Sequence, residues 1–236
     1  LPTTLITGAS RGIGAAAARR FADAGHDLLL VARPSEQLEA LGQELRSRGR
    51  RVEIAGIDLS DPAAIEPGLE DLCGRGLSPS VLINNAGAAW TGALADMPLE
   101  RWQWLLQLNL TSVFQVCSAL LPRLRAGGGG LIINVSSHAA HQAFADWGAY
   151  CVSKAALVSL SRCLATEERS HRIRVSTLTL GSVNTPLWDS ETVVSDFDRR
   201  AMLSADQAAD ALLYLAQQPA DQTVEDITLM PAAGAF

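Results

Sequence analysis

Apolar residues fall along this chain in two alternating registers. Short uninterrupted apolar runs are separated by longer stretches in which apolar residues recur every three or four positions. The first kind predicts buried strands over Thr3–Thr7, Asp27–Ala32, Val52–Ile57, Val81–Asn84, Leu131–Ser136, Ile173–Leu180 and Glu225–Met230. The second predicts helices over Gly12–Gly25 and Ser35–Gly49, from about Pro62, in two segments over about Pro98–Arg125, and over Gly148–Ser170 and Ala205–Gln217. Strands apolar on both faces that alternate with helices require a parallel sheet covered on both sides. Right-handed crossovers then wind it doubly. The expected fold is α/β, a doubly wound parallel seven-stranded sheet with helices on both faces. No repeat or linker divides the 236 residues, so a single domain over 1–236 is expected. Residues 185–204 read as a lid-like loop.

Composition narrows the function. The net charge of −6 argues against a nucleic-acid surface, and the cluster Arg46, Arg48, Arg50 and Arg51 reads as a solvated helix end. No run reaches 18 apolar residues and no charged-then-apolar leader opens the chain, so a cytoplasmic protein without a membrane span is expected. Cys73, Cys117, Cys151 and Cys163 have no metal-ligand spacing and are expected to be reduced, mostly buried thiols. His138 and His141 stand at HxxH spacing without a helix or a third ligand, which favours pocket lining or loop structure over a metal site.

The first strand runs into Thr7-Gly8-Ala9-Ser10-Arg11-Gly12-Ile13-Gly14 at the start of the first helix. Glycines there permit a tight turn and let the backbone approach a pyrophosphate, and free N–H groups at the helix start hold the anion. A dinucleotide with a free ribose 2′-hydroxyl calls for an acid at the end of the second strand. That position is Ala32, followed by Arg33, while Arg11 sits inside the turn. Two guanidiniums and no carboxylate favour a 2′-phosphate, hence NADP(H) over NAD(H). Asp58, after the third strand, is placed to accept from an adenine amino group. Asn85-Ala86-Gly87 follows the fourth strand, where the sheet order reverses and ligands gather.

Lys154 is the only lysine among 19 basic residues, and it follows Tyr150, one of two tyrosines, by four positions. On a helix the two share a face. Arginine would serve a surface ion pair equally well, so a solitary lysine suggests a task arginine cannot perform. A cation about 4 Å from a phenol, at an effective dielectric of about 20, is worth roughly 4 kcal/mol. That lowers a tyrosine pKa by roughly 3 units, enough for acid/base work near neutrality.

These motifs, in this order, resemble the short-chain dehydrogenase/reductase family of the common single-domain type. The likeness is strong over residues 3–186 and weaker beyond. It includes Asn109 in Leu108-Asn109-Leu110, Ser137 in Asn134-Val135-Ser136-Ser137, and Tyr150-Cys151-Val152-Ser153-Lys154, with the family's spacing of thirteen between Ser137 and Tyr150. The resemblance implies a Rossmann-like fold and a four-part site. Tyr150 exchanges the proton, Lys154 binds the nicotinamide ribose and lowers the tyrosine pKa, Ser137 holds the substrate oxygen, and Asn109 anchors a proton-relaying water. Because neighbouring strand residues face opposite ways, only one of Ser136 and Ser137 can face the site, and spacing selects Ser137. The cofactor would be held by Gly8, Ser10, Arg11, Gly12, Ile13 and Gly14 in the turn, and by Arg33, Asp58, Leu59, Asn85, Ala86 and Gly87. Tyr150, Lys154, Gly181, Val183 and Thr185 complete the set, Thr185 resembling the residue that holds the carboxamide. The family's usual Pro-Gly after the sixth strand is here Leu180-Gly181, a change expected in loop stiffness rather than chemistry.

The reading that follows is an NADP(H)-dependent oxidoreductase acting on a small-molecule carbonyl/alcohol pair. A 3-oxoacyl-thioester reductase is the alternative within that chemistry. It would want a basic landing patch, whereas loop 185–204 carries Asp189, Glu191, Asp196 and Asp198 against Arg199 and Arg200. A cofactor-sensing protein that kept the fold and lost turnover is the alternative outside it, yet Tyr150 and Lys154 are both present. Trp90, Trp147 and Trp188 fall in loops that would rim the crevice, while Trp102 and Trp104 read as core or subunit contact. By analogy with the family, the helices around 101–125 and 148–170 pair between subunits of a homotetramer or homodimer.

Overall fold

The computed structural model describes residues 1–234. Seven strands form one sheet: β1 Thr3–Thr7, β2 Asp27–Ala32, β3 Val52–Gly56, β4 Val81–Asn84, β5 Gly130–Ser137, β6 Ile173–Leu180 and β7 Asp226–Leu229. Every pairing is parallel and the order is β3-β2-β1-β4-β5-β6-β7. The sheet therefore reverses its winding between β1 and β4, and ligands of such sheets bind at that crevice.

The two-residue period of a strand sorts its side chains between two cores. Along β2, Leu28 and Leu30 point into one cluster and Leu29 and Val31 into the other. The first cluster is closed by α1 Gly12–Asp23, α2 Glu36–Ser47 and α7 Ala205–Ala216. The second is closed by α3 Pro62–Gly74, α5 Ser112–Ala126 and α6 Gly148–Glu167. Four consecutive alanines, Ala15–Ala18, are buried in α1, and their small side chains let the helix lie close on the sheet. At the edge, β7 has alternating exposed and half-buried residues, because nothing pairs with its outer side among the described residues.

One element differs from the pattern-based expectation. The segment from 98 to 126 is one helical run, but α4 Leu99–Leu106 and α5 are joined by a π-helical turn, Gln107–Thr111. By length and composition the span Leu99–Ala126 is apolar enough to cross a membrane, yet Val113, Val116, Cys117, Leu120 and Leu124 are packed inside the fold. Residues 185–204, read as a lid-like loop, contain the short 3-10 turns Pro186–Asp189 and Arg199–Ala201 and are tethered to the segment after β4. Thr192 Oγ1 donates to the Ala89 carbonyl at 2.7 Å, and the Thr91 amide donates to the Thr192 carbonyl at 2.9 Å. Among the cysteines, Cys73 and Cys117 are buried, whereas Cys151 is half-buried and Cys163 is exposed on the outer face of α6.

Candidate active site

The turn between β1 and α1 cannot carry side chains at two of its glycines. Gly8 has φ +67°, and a Cβ there would lie 2.9 Å from Ala86 Cα. A Cβ on Gly14 would lie 2.2 Å from the Gly8 carbonyl oxygen, so the first turn of α1 packs directly on the loop backbone. Thr7 locks this loop to the end of β4. Its Oγ1 accepts from the amides of Asn85 and Ala86 at 3.0 and 3.1 Å. No side chain caps α1, unlike α2, α3 and α7, whose first turns are capped by Ser35, Asp61 and Ser204. The uncapped N–H groups at the start of α1 border a cleft, and such a helix end suits an anion.

That cleft has a volume of about 290 Å³. Gly8, Ser10, Arg11, Gly12, Ile13, Ala32 and Arg33 line one part of it, and Asp58, Leu59, Asn85, Ala86, Gly87 and Thr185 line the rest. Burial tends to raise the Asp58 carboxyl pKa. The hydroxyl and amide of Ser60, at 2.7 and 2.9 Å, together with the charge of Arg33, outweigh it and hold the group below its ordinary value. Asp58 is therefore an ionised acceptor beside Arg33. The uncapped helix end, the backbone cradle and the two guanidiniums are a donor set that fits a dinucleotide phosphate. Trp104, expected in the core or at a subunit contact, lines this cleft instead.

A second cavity of about 150 Å³ adjoins the first, and Ile13, Asn85, Gly87, Thr185 and Leu187 belong to both walls. Ser137, Tyr150, Lys154, Gly181 and Val183 lie on it. Ser137, at the end of β5, lies on the cavity beside Tyr150, its Oγ accepting from the Ala139 amide at 3.2 Å, while the buried Ser136 hydroxyl donates to the Lys154 carbonyl at 3.4 Å. Asn109 lines neither cavity and is fully buried. Its Nδ2 donates to the Ala88 carbonyl and Ser153 Oγ, at 2.9 and 3.1 Å, and its Oδ1 accepts from the Ala88 amide at 2.9 Å. Both amide protons are thus engaged, leaving one lone pair of Oδ1 for anything further. Gly87 fits between it and Lys154, since a Cβ there would lie 3.2 Å from Asn109 Oδ1 and 3.7 Å from Lys154 Nζ.

The electrostatics of the tyrosine differ from the expectation. Burial pushes the Tyr150 phenol above its ordinary value. The hydrogen bond with Ser137 pulls it back in part, and the neighbouring Cys151 adds to the rise. Lys154 does not reach the hydroxyl. Its Nζ donates to the Val135 carbonyl at 2.9 Å and stands 5.8 Å from the centroid of the tyrosine ring. Burial pushes the ammonium itself down to about 8.

Residues outside the expected set also build the site. Asn84 and Asn134 are partners in the β4–β5 register. Asn84 Nδ2 donates to Asn134 Oδ1 at 2.8 Å, and Asn134 Nδ2 donates to Ser161 Oγ at 2.8 Å, a buried polar ladder under the cleft. Only the presence of asparagine in two apolar strands hinted at it. Trp147 and Trp188 do line the second cavity, as does His138, whose Nε2 is bonded to Gln142 Oε1 at 3.0 Å. Trp90 does not line it. Phe144, Leu187, Phe197 and Met230 join that wall from three separate segments. Among the described residues no group of His, Cys, Asp and Glu is arranged to hold a metal.

Comparison with known proteins fits this geometry. Residues 2–193 match the short chain dehydrogenase family. The chain belongs to that family. Sulfoacetaldehyde reductase 2 of Chromohalobacter salexigens is 32% identical to it, covering 98% of this chain and 95% of the relative. A metagenomic short-chain oxidoreductase solved in complex with NADP superposes with a TM-score of 0.85 at 33% identity, covering 98% and 97% of the two chains. L-sorbose reductase from Gluconobacter frateurii, solved with NADPH and L-sorbose, superposes with a TM-score of 0.88 at 27% identity, covering 98% and 95%. The short-chain dehydrogenase is thus an oxidoreductase with a Rossmann-like, seven-stranded parallel sheet and a fold that binds a nicotinamide cofactor.

Proposed function

We propose that the protein is an NADP(H)-dependent oxidoreductase that interconverts a small carbonyl compound and its alcohol, with Tyr150 exchanging the proton. The observation that carries this is the meeting of the glycine cradle and the Ser137–Tyr150–Lys154 group across the shared wall of two adjoining cavities. A bound nicotinamide supplies or accepts the hydride. Tyr150 gives a proton to the carbonyl oxygen or takes one from the alcohol, and Ser137 hydrogen-bonds to the same oxygen. Lys154 is protonated at neutral pH, since its value lies near 8, and it holds the nicotinamide ribose. Asn109 fixes the Ala88 backbone and the Ser153 hydroxyl beside the tyrosine and uses its remaining lone pair for a relaying water.

The raised tyrosine value favours the acid role, because a phenol that stays protonated at neutral pH is ready to donate. Preference for the 2′-phosphate rests on Arg11 and Arg33 and on Ala32, where a carboxylate would stand to bind a free ribose. Gly181, Val183 and Thr185 close the nicotinamide end. Arg199 is paired with Asp189, and Arg200 with Asp198, so loop 185–204 offers no open basic patch to an acidic acyl carrier. We further read the chain as one cytoplasmic cofactor-binding domain with 185–204 as its lid. It would assemble as a homodimer or homotetramer through the α4–α5 and α6 faces, where Phe114 and Val152 are exposed.

The test is a fluorescence titration with NADPH and NADH, followed by turnover of Tyr150→Phe. NADPH should bind at least about tenfold more tightly, worth about 1.4 kcal/mol. The variant should bind NADPH within about threefold of the wild type and lose turnover by about a hundredfold or more. Binding of neither cofactor would overturn the reading.

A further inference from the structure

The second cavity is walled by a run of aromatic rings that begins at the tyrosine itself. Tyr150 meets Trp147 edge-on, with centroids 5.6 Å apart and planes at 73°. Trp147 meets Trp188 at 5.6 Å and 58°, and Trp188 meets Phe197 at 5.6 Å and 69°. These are the separations and tilts that aromatic rings prefer, so each ring sets the next. Trp188 is also fixed by its backbone, since its Nε1 donates to the Val183 carbonyl at 2.8 Å. With that N–H engaged, the indole offers the cavity apolar ring surface. Phe144, Leu187 and Met230 extend the wall.

The charge on this wall is equally telling. Among the described lining residues the basic groups are Lys154 and His138, the ammonium held on the Val135 carbonyl and the imidazole on Gln142 Oε1. Among the described residues no carboxylate lines the cavity, so a cationic ligand among the rings would face Lys154 without a counter-ion. An anionic substrate tail would find no guanidinium, because Arg199 is turned to Asp189 and Asn184. The polar groups that are available, led by the Ser137 hydroxyl, cluster at the tyrosine end. Such a cavity is polar where a carbonyl oxygen reacts and aromatic where the rest of the molecule lies. Beyond the nicotinamide end, Trp147, Trp188 and Phe197 present apolar faces of the kind a flat ring packs on.

We propose that the substrate is an uncharged ketone or aldehyde bearing an aromatic ring close to its carbonyl, the ring seated among Trp147, Trp188 and Phe197. This rests on the oxidoreductase reading above. It also separates this chain from its sulfoacetaldehyde-reducing relative, whose named substrate is an anion.

The experiment compares benzylacetone with butanone, two methyl ketones that share the reacting group and differ in the ring, under NADPH. Levulinate and a trimethylammonium ketone serve as charged counterparts. Benzylacetone should have a kcat/KM at least about tenfold above each of the others. Trp188→Leu should cut its advantage over butanone to about threefold or less, and Phe197→Ala, at the outer end of the wall, serves if that variant does not fold. Equal values for the two methyl ketones, or preference for either charged ketone, would overturn the proposal while leaving the oxidoreductase reading intact. If NADPH binds and no ketone turns over, the oxidoreductase reading fails instead. The cavity is then judged by titrating the NADP⁺-loaded protein with the two neutral product alcohols and following tryptophan fluorescence. Tenfold tighter binding of the arylated alcohol, about 1.4 kcal/mol, sustains an arene site, and equal binding removes it.

Discussion

Replacing Lys154 by methionine should make the cofactor-free protein more stable near neutral pH while destroying its turnover. Burial moves the ammonium from its ordinary 10.5 down to about 8. Folding therefore disfavours the charged form, and the unfolded chain holds its proton more tightly. Below the folded value the whole difference counts against the native state, about 3 kcal/mol at about 1.36 kcal/mol per unit. Methionine has a similar length, no charge and a tolerant shape. Against the gain stands the Val135 carbonyl, which loses its donor at 2.9 Å. That loss costs about 1–2 kcal/mol. The variant should therefore be about 1–2 kcal/mol more stable near pH 7, raising its melting temperature by roughly 2–8 °C for a chain of this size. The pH dependence follows from the sign of the shift. The wild type regains stability as pH climbs from about 8 toward 10.5, so the advantage of the variant should shrink and then reverse over that window. Urea midpoints of both proteins across that range, with slopes compared, measure it. A variant that is less stable near neutrality at unchanged slope would refute the reasoning, as would a difference that does not change with pH.

Other expectations follow from the same geometry. Gly14→Ala places a Cβ 2.2 Å from the Gly8 carbonyl and must shift the turn, so NADPH affinity should fall by at least about tenfold in a fluorescence titration. Ala32→Asp puts a carboxylate at the end of β2 beside Arg33, and the ratio of NADPH to NADH dissociation constants should move toward NADH by about tenfold or more. Glu168 is buried and hydrogen-bonded by Arg125, which holds its carboxyl below the ordinary value of 4.5. Its contribution is fully present above that ordinary value and is lost as pH falls through the depressed one. Glu168→Gln should accordingly flatten the acid side of a melting-temperature profile and lower the plateau near neutrality.

The sheet was legible because its inner strands are apolar on both faces, which leaves few other ways to bury Leu28–Val31 or Leu131–Val135. Strand ends were less so: β5 runs on to Ser137 because Leu180 of β6 supplies a partner there, a pairing that no local pattern encodes. The motif residues were legible as types at fixed spacings. What they do to one another was not. Tyr150 and Lys154 share a helix face as the spacing implies, yet the lysine spends its proton on Val135, across to β5, so burial rather than its charge dominates the phenol. The π-helical turn that carries Asn109 has no composition signal of its own. Nor do the aromatic residues of the second cavity, which come from 144–150, 188 and 197 and meet only because the 185–204 segment is pinned to Ala89 and Thr91.

The two cavities share Ile13, Asn85, Gly87, Thr185 and Leu187 as a party wall. A molecule on one side therefore becomes part of the boundary seen from the other, and the two affinities are thermodynamically coupled. Such coupling is reciprocal. Any compound that binds better to the loaded protein must strengthen cofactor binding by the same factor. The apparent affinity for NADP⁺, which has no hydride to give, read in the presence of candidate carbonyl compounds, thus becomes a gauge of which molecules fit this chain, and it works without a single catalytic turnover.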